Sequence, residues 1–134
     1  MKAYRALDAE VERLGVSGGT TRPSTALLSV AMGDYLDFVM GDLRHAKQSG
    51  WRLSGPAAIV YVAPVGWAPS LVHVKACEDN SKVRVLSKGG KDRTPTGHRR
   101  YVQDYEVTKT RAGWKISGVE SIAVASFDTY GCNS

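Results

Sequence analysis

The chain is poor in cysteine and histidine and has no long apolar run, and each scarcity excludes something. Its 134 residues include only two cysteines, Cys77 and Cys132. Two thiols cannot build a four-cysteine zinc site, and they can form at most one disulfide. The three histidines, His45, His73 and His98, are scattered, without the close spacing that metal ligands need. No metal and no cofactor is expected. No apolar stretch is long enough to cross a bilayer as a helix. There is no Gly-x-Ser-x-Gly elbow, and the glycines of Gly15-Val16-Ser17-Gly18-Gly19 fall between helical segments rather than after a strand.

The composition that remains is that of a globular protein, with 43% hydrophobic and 23% charged residues. The length fits a single domain, residues 1–134, able to bury about two-thirds of its unfolded surface. The formal net charge is +5, and the excess is concentrated. Lys82, Arg84, Lys88, Lys91, Arg93, Arg99 and Arg100 stand against one acid, Asp92. Such a segment can grip an anionic polymer or surface. Nucleic acid is not expected, because the segment carries no stacking aromatics of its own.

Hydrophobic periodicity divides the chain in two. Tyr4, Leu7, Val11 and Leu14 share one helical face, with Arg5, Asp8, Glu10, Glu12 and Arg13 on the others. Ser24 predicts an N-cap for a short helix to Ala31. Asp34 predicts the cap of a longer helix that reaches Ser49 and stops at Gly50. Helices therefore occupy about 2–50 and strands about 57–126.

The predicted strands are 57–63, stopped by Pro64, then 70–77, 82–86, 99–110 and 114–124, the last kinked at Gly118. Glu78-Asp79-Asn80-Ser81 reads as a turn that folds 82–86 back onto 70–77. Helices first and strands afterwards is the α+β pattern, with a meandering antiparallel sheet curled over the helices into a cone.

The cysteines admit two readings, buried thiols or a bridge. Cys132 lies in a tail, 127–134, where burial is hard to achieve without a staple. A bridge to the strand end at Cys77 would stabilise by about 4 kcal/mol in chain-entropy terms and would favour an oxidising compartment.

The run Val74-Lys75-Ala76-Cys77-Glu78-Asp79-Asn80-Ser81 resembles a Val-x-x-Cys-x-Asp-x-Ser motif of actinobacterial extracytoplasmic proteins, many of them lipoprotein-like. The likeness extends to Gly33-Asp34, to Gly50-Trp51-Arg52-Leu53-Ser54-Gly55, to Arg99-Arg100-Tyr101, to Gly113-Trp114-Lys115-Ile116 and to Gly131-Cys132. It implies a nuclear-transport-factor-2-like fold, a Cys77–Cys132 disulfide and an exported or lipid-anchored domain, carried by actinobacteria or their phages. The chain departs from that pattern at its start, where residues 2–14 are amphipathic and contain no lipobox cysteine. Contact with a membrane would come through a leader or anchor absent from these residues.

The expected function is a non-enzymatic accessory or interaction domain at the cell envelope, with an envelope protein or anionic surface as partner. Superinfection exclusion is the corresponding guess for a phage source. One alternative is a small-molecule-binding or isomerase-like cone lined by Tyr35, Phe38, Tyr61, Tyr101, Tyr105 and Trp114, with Trp51 or Trp67 at the rim. Proton transfer there would need a desolvated acid or a histidine, drawn from Asp34, Asp37, His73, Asp104 and Glu106. The other alternative is an anionic-polymer binder using the Lys82–Arg100 segment.

Overall fold

The computed structural model describes residues 2–132, and in it the stripe Tyr4, Leu7, Val11 and Leu14 winds into α1 (Lys2–Val16). Gly19 follows with φ 83°, where a Cβ would stand 2.2 Å from the Leu43 carbonyl oxygen. Only glycine fits that approach. Helix α2 (Thr25–Val30) is capped by Ser24, whose Oγ accepts the Leu27 N–H at 3.0 Å. Helix α3 (Gly33–Ser49) ends at Gly50, in the left-handed region with φ 72°. Its N-cap is Met32 rather than the predicted Asp34. Asp34 instead lies within the first turn, where a carboxylate favours the positive end of the helix dipole.

Six strands follow: β1 (Arg52–Ser54), β2 (Ala58–Ala68), β3 (Leu71–Asp79), β4 (Arg84–Leu86), β5 (Arg100–Thr110) and β6 (Gly113–Val124). The four long ones form an antiparallel sheet in the order β2-β3-β5-β6. The strand containing Pro64 does not stop there. β2 is an edge strand, and a proline on an edge sacrifices no bond that the sheet needs.

The predicted hairpin of 82–86 onto 70–77 is not formed. Segment 84–86 pairs with 52–54 as a separate two-stranded ribbon, and β3 pairs with β5 instead. β3 also runs two residues further than expected, so Glu78 and Asp79 belong to the strand and not to a turn. The bulge in β6 falls at Ser117, beside the predicted Gly118, because Glu106 pairs with Gly118 and Val107 with Ile116.

Bulges in β2 and at the β5–β6 pairing bend the sheet. Its concave face takes Tyr4 and Leu7 of α1 and Val39, Met40 and Leu43 of α3 against Val74, Ala76, Tyr105, Val107 and Ile116. The result is an α+β cone, helices followed by a curved antiparallel sheet. On the opposite face of β3 the segment leading to Cys132 returns across the sheet. A disulfide joins Cys77 to Cys132 with Cα atoms 6.0 Å apart. Both cysteines are buried, and the Lys75 ammonium donates to the Tyr130 carbonyl. Of the predicted tail, Asn133 and Ser134 lie outside the described residues.

Candidate functional site

Alternation along β3 sends Val74, Ala76 and Glu78 to the concave face and Lys75 and Cys77 to the other. Glu78 is therefore a carboxylate aimed at the core. Its Oε2 accepts the Tyr4 hydroxyl at 2.5 Å and the Tyr105 hydroxyl at 2.9 Å. Its Oε1 accepts the Gln103 side-chain N–H at 3.2 Å. Gln103 must present nitrogen to Glu78, because a carboxylate oxygen only accepts. That fixes the amide orientation and leaves Gln103 Oε1 buried without a hydrogen-bond partner among the described residues.

Around this network the cone is not filled. A half-open cavity of about 540 Å³ lies between α1, α3, β1, β4 and the sheet. Its volume is in the range of small-molecule sites. Tyr4, Tyr35 and Tyr105 form its aromatic floor, with centroid separations of 5.1 Å (Tyr4–Tyr105) and 5.9 Å (Tyr35–Tyr105). Trp51 and His45 stack edge to face at 5.1 Å on another wall. Asp8, Glu12 and Asp42 join Glu78 as lining acids, while Arg52 and Arg93 are exposed at the rim.

The cavity perturbs its titratable groups. Burial, and then the nearby Glu78 charge, push the phenols of Tyr4, Tyr35 and Tyr105 well above the ordinary tyrosine range, so all three keep their protons at neutral pH. Asp8 is lifted to about 6, first by burial and then by the charges of Glu78 and Glu12. Burial also raises Asp42.

Of the aromatics proposed from sequence, Tyr35, Phe38 and Tyr105 line the cavity, Phe38 at its edge with 60% exposure. Tyr61, Tyr101 and Trp114 are not among its lining residues. Tyr61 is paired with Cys77, on the far face of the sheet. Tyr101 sits across from Glu78 but beyond the cavity, and Trp114 is partly exposed at the start of β6. Trp51 lines the site, whereas Trp67 is 73% exposed near the β2–β3 turn.

None of the five proton-transfer candidates reaches the cavity. His73 Nδ1 and Asp104 Oδ1 pair at 3.1 Å on the convex face, where Glu106 also accepts from Ser117. Asp34 and Asp37 are exposed on α3. The basic residues do not form one free surface either. Arg100 reaches Asp79 and the Ala125 carbonyl, Arg84 the Ser81 carbonyl, and Arg99 the Val83 carbonyl, while Arg93 lines the cavity. Lys82, Lys88 and Lys91 are exposed.

Sequence reasoning missed Glu78, Tyr4, Asp8 and Gln103 as site residues. Two signals were present. Glu78 continues the inward series Val72, Val74, Ala76 at the next alternate position. Asp8 lies four residues after Tyr4 and three before Val11, inside the apolar stripe of α1.

No family model matches the sequence, and no curated protein matches it. Solved structures do resemble the fold. The intermembrane space region of the chloroplast protein ARC6 superposes with a TM-score of 0.61 at 18% identity, over 92% of this chain and 95% of that one. A proposed aromatic ring hydroxylase from Novosphingobium aromaticivorans gives a TM-score of 0.62 at 15% identity, over 92% of this chain and 88% of that one. At these identities the likeness is one of fold.

Proposed function

We propose that this protein is an extracytoplasmic binding domain whose cone takes a small molecule. The observation that carries the reading is the unfilled cavity of about 540 Å³ closed at its base by the Glu78–Tyr4–Tyr105–Gln103 network. A core built only for stability would fill such a space, since each missing contact costs free energy. Here buried polar groups converge on it instead, which is the usual makeup of a ligand site.

The compartment rests on the buried Cys77–Cys132 bridge, which persists where thiols are oxidised. The resemblance to actinobacterial extracytoplasmic proteins supports the same location and an accessory role at the envelope. A binding role has more support than catalysis, because both Glu78 oxygens already accept hydrogen bonds from the protein. The anionic-polymer reading has less support. Arg84, Arg99 and Arg100 of the basic segment are turned onto protein acceptors.

Titration with a neutral, apolar solvatochromic dye such as Nile red tests the binding reading. Saturable one-to-one binding is expected, weakened about tenfold or more by Ala58→Trp, which places a large ring among the cavity-lining residues at an exposed position. An unchanged affinity in that variant, or no saturable binding, would count against the cavity as a site.

A further inference from the structure

We infer that the ligand of this cavity is an organic cation, an ammonium group carried on an apolar body. The inference rests on the cavity being a binding site and adds the charge of its occupant.

The charge of the interior is one-sided. The hydroxyls of Tyr4 and Tyr105 and the side-chain N–H of Gln103 are all committed to Glu78. The charged groups that face a ligand there are the half-buried carboxylates of Asp8 and Glu78, with the exposed Asp42 and Glu12 beside them. An anionic group entering here would face these carboxylates with the donors of Tyr4, Tyr105 and Gln103 already used. A purely apolar ligand would cover the Asp8 and Glu78 carboxylates without compensating their charge. An ammonium group, including a quaternary one, neutralises these acids without needing a further hydrogen-bond partner.

The walls fit the same occupant. Tyr4, Tyr35 and Tyr105 are clustered with tilted or edge-on rings, and Phe38 and Trp51 complete the aromatic lining. The negative faces of such rings attract cations, and the attraction strengthens where water is excluded. The two lining arginines, Arg52 and Arg93, are exposed at the rim, where their charge is solvated. Asp8 is held partly out of water beside Glu78 and Glu12, and a bound cation relieves that repulsion.

Three probes of one shape test the inference: benzyltrimethylammonium, its neutral isostere neopentylbenzene, and phenylacetate as the anion. Calorimetric titration at pH 7.5 should show the cation binding at least about tenfold tighter than the neutral probe, and no measurable binding of the anion. Asp8→Asn, which leaves the tyrosine network whole, should weaken the cation several-fold and leave the neutral probe unchanged. Glu78→Gln should do the same more strongly, with circular dichroism confirming that it folds. Equal affinity for the neutral probe, preference for phenylacetate, or insensitivity to Asp8→Asn would overturn the inference. If all three probes fail to bind, it is overturned as well, and the dye titration then shows whether the binding reading falls with it.

Discussion

The Tyr4 hydroxyl donates to Glu78 Oε2 at 2.5 Å, linking the first turn of the N-terminal helix to the end of a strand 74 residues later. Both partners lie at the floor of the cavity, and Tyr4 is only 2% exposed. A single contact therefore fixes α1 against the sheet and places a carboxylate beneath the open space. The Tyr105 hydroxyl shares the same oxygen, so Glu78 satisfies two buried phenols at once.

Removing that acceptor should be costly. Glu78→Leu leaves the hydroxyls of Tyr4 and Tyr105 buried without their partner, and stability in urea should fall by about 2–5 kcal/mol. Glu78→Gln, which keeps an acceptor oxygen, should cost clearly less. Equal losses in the two variants would mean that the hydrogen bonds do not hold this end of the cone.

The disulfide closes the loop from residue 77 to residue 132 and covers the convex face of β3. Replacing both cysteines by serine should lower stability by about 3–5 kcal/mol, measured by calorimetry or denaturant titration. Protein recovered from its own compartment should show no reactive thiols under denaturing, non-reducing conditions. Two reactive thiols would contradict the oxidised form.

Asp8 gives a pH signature. Its folded-state value is about 6, above the ordinary aspartate value of 3.8, so between those limits the folded state holds the proton more tightly. The contribution of Asp8 to stability is therefore greatest below the unfolded value and is lost as pH rises through about 6. Asp8→Asn should remove that slope and raise stability at pH 7 by about 1 kcal/mol, the linkage value being reduced because the side chain is partly solvated. Identical pH profiles for the two proteins between pH 4 and pH 7 would show that Asp8 is not desolvated. The acids Glu10 and Asp79, whose values are lowered chiefly by hydrogen bonds to Arg13 and Ser81, act in the opposite sense and are common to both proteins.

Gly19 tests the packing of the α1–α2 loop on α3. An added Cβ would meet the Leu43 carbonyl oxygen at 2.2 Å and the Lys47 amide nitrogen at 3.0 Å, both backbone atoms that cannot rotate away. Gly19→Ala should therefore destabilise by about 2 kcal/mol or more, in excess of the strain of a left-handed alanine alone. Gly90→Ala, at the same φ of 83° but with open space around it, is the control and should cost less.

The amino-acid sequence by itself determined the order of the helices and of the four long strands, because that information is local, but not the short β1. The stripe of α1, the Ser24 cap, Gly50 and the alternation of β3 and β5 each act within a few residues. It also offered a Cys77–Cys132 bridge as one of two readings of the cysteines, and the fold brings the two together. What only the tertiary structure decided was pairing at long range. Segment 84–86 found 52–54 rather than its sequence neighbour, since β5 already occupied that edge of β3.

The site was decided in the same way. Glu78 looked like a turn residue because Asp79-Asn80-Ser81 follow it, yet the pairing with Tyr101 extends the strand beneath it and turns it inward. A carboxylate can occupy that position only where Tyr4, Gln103 and Tyr105, distant in sequence, converge to donate to it. Periodicity identifies which face a residue occupies. Whether a buried charge has partners depends on where the rest of the chain comes to lie.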